Sequence, residues 1–123
     1  DEPPLGADMD GISKIPWWEW IPLPWRSWRI VLRVQAADEV PDQLPKAGVV
    51  LVEPATAPTW LVFDCPCNRG HRVMLNLDSH RKPRWSITNF QPLTLLPSIN
   101  DRSLNSQCHY FIRGGRIQWV SND

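Results

Sequence analysis

Thirteen prolines spread through 123 residues set the first limit on this chain. An interior proline removes a helix hydrogen bond and clashes with the preceding turn, so long α-helices are not expected. What lies between the prolines reads as strand. Gly48 to Glu53 (GVVLVE) is a continuous β-branched run, expected as a buried strand. Thr59 to Asp64 (TWLVFD) is the next, and it delivers the chain into Cys65. His71 to Leu77 alternates, with Val73, Leu75 and Leu77 on one face and Arg72, Met74 and Asn76 on the other. Arg29 to Val34, Arg84 to Phe90 and the shorter Leu93 to Leu96 add further runs. Ala36 to Lys46 reads as a loop or short helical turn, and Asn100 to Gln107 as a polar loop. Tyr110 to Arg113 and Arg116 to Val120 flank Gly114-Gly115, a tight-hairpin signal because glycine accepts positive φ at both turn positions. The expected fold is mostly β: a small antiparallel sandwich or open barrel with one zinc site and a C-terminal β-hairpin.

The length fits one domain. Within it, residues 1–14 read as a disordered tail with little to bury, and residues 15–28 as a Trp/Pro-rich arm. Residues 29–123 then form the β domain. The arm holds Trp17, Trp18, Trp20, Trp25 and Trp28 between prolines. It either packs on the body, as large aromatics usually do, or presents a binding surface. Basic and acidic residues balance at 13 each, which argues against nucleic acid or an anionic membrane as partner. No stretch is apolar for long enough to span a bilayer. The cysteine count is three, an odd number that suits a reducing, cytoplasmic setting better than a disulfide scaffold.

Two of those cysteines form Cys65-Pro66-Cys67, too cramped for an ordinary disulfide, and His71 follows after Gly70. Thiolate and imidazole are zinc's preferred donors. A strand that ends, turns through Pro66 and Gly70 and restarts can aim three of them at one point. The fourth donor is expected from the Cys108–His109 pair at the mouth of the final hairpin, with Cys108 the expected ligand. Ordinary buried cysteines and a surface histidine are the plainer alternative.

These residues also carry a resemblance. The blocks Phe63-Asp64-Cys65-Pro66-Cys67, Gly70-His71-Arg72, Leu75-Asn76-Leu77, Pro83-Arg84-Trp85, Leu95-Leu96-Pro97-Ser98-Ile99 and Cys108-His109-Tyr110-Phe111-Ile112-Arg113, with Gly115-Arg116-Ile117-Gln118-Trp119 after them, resemble a bacterial family known as domain of unknown function 6527. The likeness covers the last three-quarters of the chain and leaves out the tryptophan-rich start. Members are encoded beside a ubiquitin-like protein and its activating and conjugating enzymes. The role implied is a serine-type peptidase that removes or matures the modifier, with those proteins as partners. In relatives a cysteine stands several residues before the hairpin histidine, whereas here Cys108 adjoins His109.

A serine peptidase needs a nucleophile, a base within reach and an orienting acid. Ser98, between an apolar run and a polar loop, is the expected nucleophile. His109 is the expected base, because on an extended strand it points away from its neighbour Cys108. Asp101 is the expected acid, with Asp64 as the alternative, and His80 is the alternative base. Ser98 as a turn cap and His109 as a ligand is the competing assignment. Two other functions stay open. One is a zinc-dependent hydrolase with water at an open metal position. The other is a non-catalytic, zinc-stabilised adaptor that binds the ubiquitin-like protein or its conjugation enzymes.

Overall fold

The β-branched runs become strands in the computed structural model of the chain, which describes residues 14–24, 26–55, 57–67, 70–101 and 108–120. Among the described residues the strands are β1 (Arg29–Val34), β2 (Gly48–Val52), β3 (Trp60–Asp64), β4 (Arg72–Asn76), β5 (Ser86–Phe90), β6 (Leu93–Leu96), β7 (Ile99–Asp101), β8 (Cys108–Arg113) and β9 (Arg116–Trp119). Helical structure among these residues amounts to two short 3-10 turns, Trp17–Trp20 and Ala37–Glu39. No helix among them is long and apolar enough to cross a membrane.

The strands form a four-stranded sheet in the order β1-β2-β3-β4, a pair β5-β6, and a three-stranded sheet β7-β8-β9. The sheets are antiparallel except at one edge, where β1 runs parallel to β2. A parallel pair needs a crossover of a dozen or more residues, and the segment between Val34 and Gly48, with its 3-10 turn, provides it. The expected mostly β, antiparallel architecture is what forms, and the parallel β1–β2 edge is a local addition to it. Part of the expected polar loop is also strand. Ile99, Asn100 and Asp101 pair with Tyr110, His109 and Cys108, and the buried Ile99 anchors this segment in the core. Residues 102–107, the rest of that expected loop, lie outside the described residues.

Burial explains the layering. Val49 and Leu51, Leu61 and Phe63, and Val73 and Leu75 project from one face of the large sheet onto Leu93, Leu95, Ile99, Cys108, Tyr110 and Ile112 of the smaller ones. The opposite face of the large sheet is covered by a second cluster, in which Val34, Val50, Val52 and Val62 meet Leu32, Val40, Leu44 and Trp60. β2 is therefore buried on both faces, as an unbroken apolar run requires.

The hairpin between β8 and β9 turns through Gly114 at φ 58° and Gly115 at φ 75°. A Cβ on Gly115 would come within 2.9 Å of the Ser27 Cβ, because this turn is also a junction. Gly115 N–H donates to the Leu93 carbonyl at 2.8 Å, and Trp28 N–H donates to the Gly115 carbonyl at 2.7 Å. Trp28 then stacks edge-on against Phe63, with ring centroids 5.5 Å apart. The arm before it divides into two. Glu19 is clamped by Arg26 at 3.0 Å and Arg29 at 2.8 Å, whereas Trp17 is 73% and Trp18 50% exposed. Trp25 and residues 1–13, including most of the expected tail, lie outside the described residues.

Candidate active site beside a metal-binding corner

β3 and β4 are joined by the turn that carries Cys65, Cys67 and His71, and its ends are tied by Cys65 N–H donating to the His71 carbonyl at 3.0 Å. β8 begins at the same corner. One donor atom from each of Cys65, Cys67, His71 and Cys108 lies within 4.8 Å of all the others. Cys67 Sγ is 3.0 Å, and Cys108 Sγ 4.0 Å, from His71 Nε2. Metal bonds of about 2.0–2.3 Å place tetrahedral donors roughly 3.5–3.8 Å apart, so this cluster could close on one ion with small adjustments. The chemistry of the donors fits as well. None of the three cysteines is in a disulfide, and Cys65 and Cys108 are buried. Burial, the largest cause, together with the neighbouring thiols of Cys67 and Cys108, pushes the Cys65 thiol up to about 12. A buried cation reverses that preference, since a coordinating thiol is deprotonated outright. The Tyr110 hydroxyl, 3.9 Å from Cys65 Sγ, adds a weak contact behind the cluster.

β8 separates this corner from a second one by simple alternation. Cys108, Tyr110 and Ile112 are buried, and His109 and Phe111 between them are half-exposed. Cys108 thus faces the metal cluster and His109 faces away from it. β7 alternates in step: Ile99 is buried against Tyr110, while Asn100 is exposed opposite His109. Ser98 immediately precedes β7 and is half-buried. Its Oγ lies 2.8 Å from His109 Nε2, within the reach expected of a nucleophile and its base. Residues eleven apart in sequence meet here because β7 and β8 are paired neighbours.

Asp101 pairs with Cys108, so Asn100 and not Asp101 is the cross-strand partner of His109. Asp64 is engaged by Arg72 at 2.9 Å. His80 is 91% exposed and contacts Asp78 at 3.1 Å, the backbone N–H of His80 also donating to that carboxylate at 2.9 Å. These hydrogen bonds from His80, backbone first, hold the Asp78 carboxyl below its usual range.

Two residues not singled out by function in the sequence shape the site. Trp85 Nε1–H donates to the Ser98 carbonyl at 3.1 Å. Trp85 N–H donates in turn to the Asn76 carbonyl at 2.8 Å. Buried Asn76 binds the loop before Trp85, its side-chain amide donating to the carbonyls of Asp78, Arg81 and Pro83 and its oxygen accepting from Asp78 N–H. Ser98 is therefore held through a polar chain that starts in the large sheet. Tryptophan in Pro83-Arg84-Trp85 was visible as part of a block, but nothing in its spacing marked a hydrogen bond to the serine thirteen residues on.

No curated protein and no solved structure matches the chain. The family profile that does match is described as BubE, a bacterial ubiquitination-like system serine protease, and it aligns with residues 36–120. Those residues include the whole metal cluster and both Ser98 and His109, and exclude the tryptophan arm. With well over half its length matched, the chain belongs to the BubE family of serine proteases from bacterial ubiquitination-like systems.

Proposed function

We propose that this protein is a serine-type peptidase that cleaves or matures a bacterial ubiquitin-like protein, with Ser98 as nucleophile, His109 as general base and a structural zinc held by Cys65, Cys67, His71 and Cys108. The observation that carries this reading is the 2.8 Å approach of Ser98 Oγ to His109 Nε2 on the face of β8 turned away from the metal cluster. Neutral His109 takes the Ser98 proton as Oγ attacks the carbonyl at the end of the modifier, and returns it to the leaving amine. Water then releases the acyl group by the same proton path. Zinc, when bound, ties the start of β8 to the β3–β4 turn and fixes the backbone from which His109 projects. Four protein donors favour a closed structural site over a hydrolytic metal with an open position.

For the group that orients His109 the proposal is Asp101, with Asn100 as its competitor by register; Asp101→Asn against Asn100→Ala decides between them. The proposed setting is the cytoplasm, and the proposed partners are the ubiquitin-like protein and its activating and conjugating enzymes. A second reading, the zinc-stabilised adaptor, draws support from the exposure of Trp17 and Trp18. The test is cleavage of a ubiquitin-like protein fused at its C-terminus to a reporter. Wild type cleaves and Ser98→Ala does not under the peptidase reading. Binding of the fusion by wild type without cleavage establishes the adaptor instead.

A further inference from the structure

Ser98 and His109 occupy one end of a solvent face that continues along β8 and β9. Side chains two apart on a strand share a face, so His109 is followed on that face by Phe111 and then Arg113. Residues directly opposite each other also share a face, which adds Gln118 beside Phe111 and Arg116 beside Arg113. Ser98 lies one residue before the Ile99–Tyr110 pair, in line with Phe111. The face therefore runs from the base, across a row of Ser98, Phe111 and Gln118, to a pair of arginines. Four residues of strand separate Arg113 from His109, a span of roughly 13 Å.

These two arginines differ from others in the molecule. Arg26, Arg29, Arg33 and Arg72 each meet a carboxylate. Arg113 and Arg116 are exposed and directly opposite each other beside the Gly114-Gly115 turn, and like charges so placed repel. Among the described residues neither has an acidic partner. Arg113 is held in place all the same. Its guanidinium carbon lies 3.7 Å from the centroid of the Phe111 ring, and its Nη1–H donates to Gln118 Oε1 at 2.9 Å. Both contacts draw the cation back toward the row of Ser98. The other N–H donors of its fork have no acceptor among the described residues. A guanidinium fixed by stacking, with donors still open, is pre-organised for an anion, and its planar fork matches a carboxylate.

We propose that Arg113, supported by Arg116, anchors an acidic side chain on the folded body of the ubiquitin-like protein, and so docks that protein on the β8–β9 face beside Ser98. This rests on the peptidase reading of Ser98 and His109. The occupant follows from charge. With 13 basic and 13 acidic residues, the chain has no broad positive field of the kind that holds nucleic acid. Its unpaired positive charge on this face is local, and a local fork recognises a single carboxylate. The half-exposed Phe111 ring beneath the fork adds apolar contact, and arginine with an aromatic neighbour is a combination enriched where proteins bind proteins. A charge near the rim of such an interface acts through encounter and is sensitive to salt.

The test uses the full chain, with the modifier–reporter fusion for cleavage and the intact modifier on Ser98→Ala for binding. Arg113→Glu should raise KM for the fusion and Kd for the modifier by about tenfold or more, with kcat and melting temperature near wild type. Arg116→Glu should act in the same direction and less strongly, and it serves as the second variant if Arg113→Glu does not fold. Arg113→Lys keeps the charge and loses the fork, so it should recover only part of the affinity. Lys82→Glu makes the same change in net charge on an exposed loop after β4 and should leave KM as it is. Added sodium chloride should weaken binding by wild type several-fold and binding by Arg113→Glu little. Cleavage with a KM that neither arginine substitution nor salt moves overturns the anchor and leaves the peptidase standing. An equal rise in KM for Lys82→Glu, or retention of a single-stranded oligonucleotide in place of the modifier, also overturns the anchor. Salt-sensitive binding that Arg113→Glu abolishes, without cleavage by wild type, upholds the anchor and overturns the peptidase. Absence of both binding and cleavage overturns both.

Discussion

Cys108 and His109 are consecutive residues on one strand, and they belong to two different regions. On the inner side of β8, Cys108 joins three donors from a turn 37 to 43 residues earlier, and three of the four residues are buried. On the outer side, His109 meets Ser98, and both are half-exposed. The inner corner has the properties of a fastening: soft donors, burial and a link between sheets that are not hydrogen-bonded to each other. The outer corner offers a half-exposed hydroxyl–imidazole pair, the arrangement proposed above as the reaction site. The difference teaches that alternation in a strand can assign stability and chemistry to adjacent residues without either compromising the other.

The strongest way to break this comparison is to substitute across it. Ser98→Ala and His109→Ala should each lower cleavage of a modifier–reporter fusion by on the order of 10⁴-fold. Zinc content by elemental analysis and the melting temperature should stay near wild type for both. Metal loss in His109→Ala would show that the histidine belongs to the inner corner and would dissolve the division.

Substitutions on the inner side should give the reverse pattern. Cys67→Ser or Cys108→Ser should remove most of the metal and cost several kcal/mol of stability, because binding energy in such sites is folding energy. Activity should then follow the folded fraction. Acidification should release metal from wild type as protons compete for the thiolates; metal retained through pH 4 would argue against cysteine ligation.

Much of this was legible in the sequence, and the limits have physical causes. The strand runs, the glycine hairpin and the turn of Cys65, Cys67 and His71 are local, and local patterns report themselves through side-chain period and backbone freedom. The Cys108–His109 opposition was legible too, since it needs only an extended strand. The parallel pairing of β1 with β2 was not, because register and direction depend on where a crossover lands. Asn100 reads as loop because its polarity outweighs the single apolar Ile99 beside it, while the pairing that makes it strand comes from β8. The indole–carbonyl bond from Trp85 to Ser98 is likewise a product of sheet packing, invisible in spacing.

That bond allows a finer test. Trp85→Phe keeps an aromatic ring in place and deletes the N–H that holds the Ser98 carbonyl at 3.1 Å. A single neutral hydrogen bond contributes about 1 kcal/mol, so kcat should fall roughly fivefold. KM and metal content should change little. A loss as large as that of Ser98→Ala, in a protein that is still folded, would mean that Trp85 takes part in substrate binding as well as in positioning.

The smallest effect is expected in the arm, where the same inside–outside contrast appears within a few residues. Glu19 is nearly buried between Arg26 and Arg29, with side-chain exposures of 15–20% across the three, and Arg29 also donates to the carbonyls of Glu19 and Lys46. Trp17 and Trp18 contact each other edge-on with centroids 6.1 Å apart, but their outward faces cover nothing described. Replacing both with serine should therefore shift stability by less than about 0.5 kcal/mol, and cleavage of a short peptide substrate should be unaltered. Arg29→Ala should cost more, since it strands Glu19 and undocks the segment. Binding of the intact ubiquitin-like protein is the sensitive readout. If Trp17→Ser with Trp18→Ser weakens capture of the folded modifier while peptide cleavage is unchanged, the arm is a recognition surface placed outside the catalytic fold. If stability falls by several kcal/mol instead, these rings are packed in solution, and the arm belongs with the body it was expected to cover.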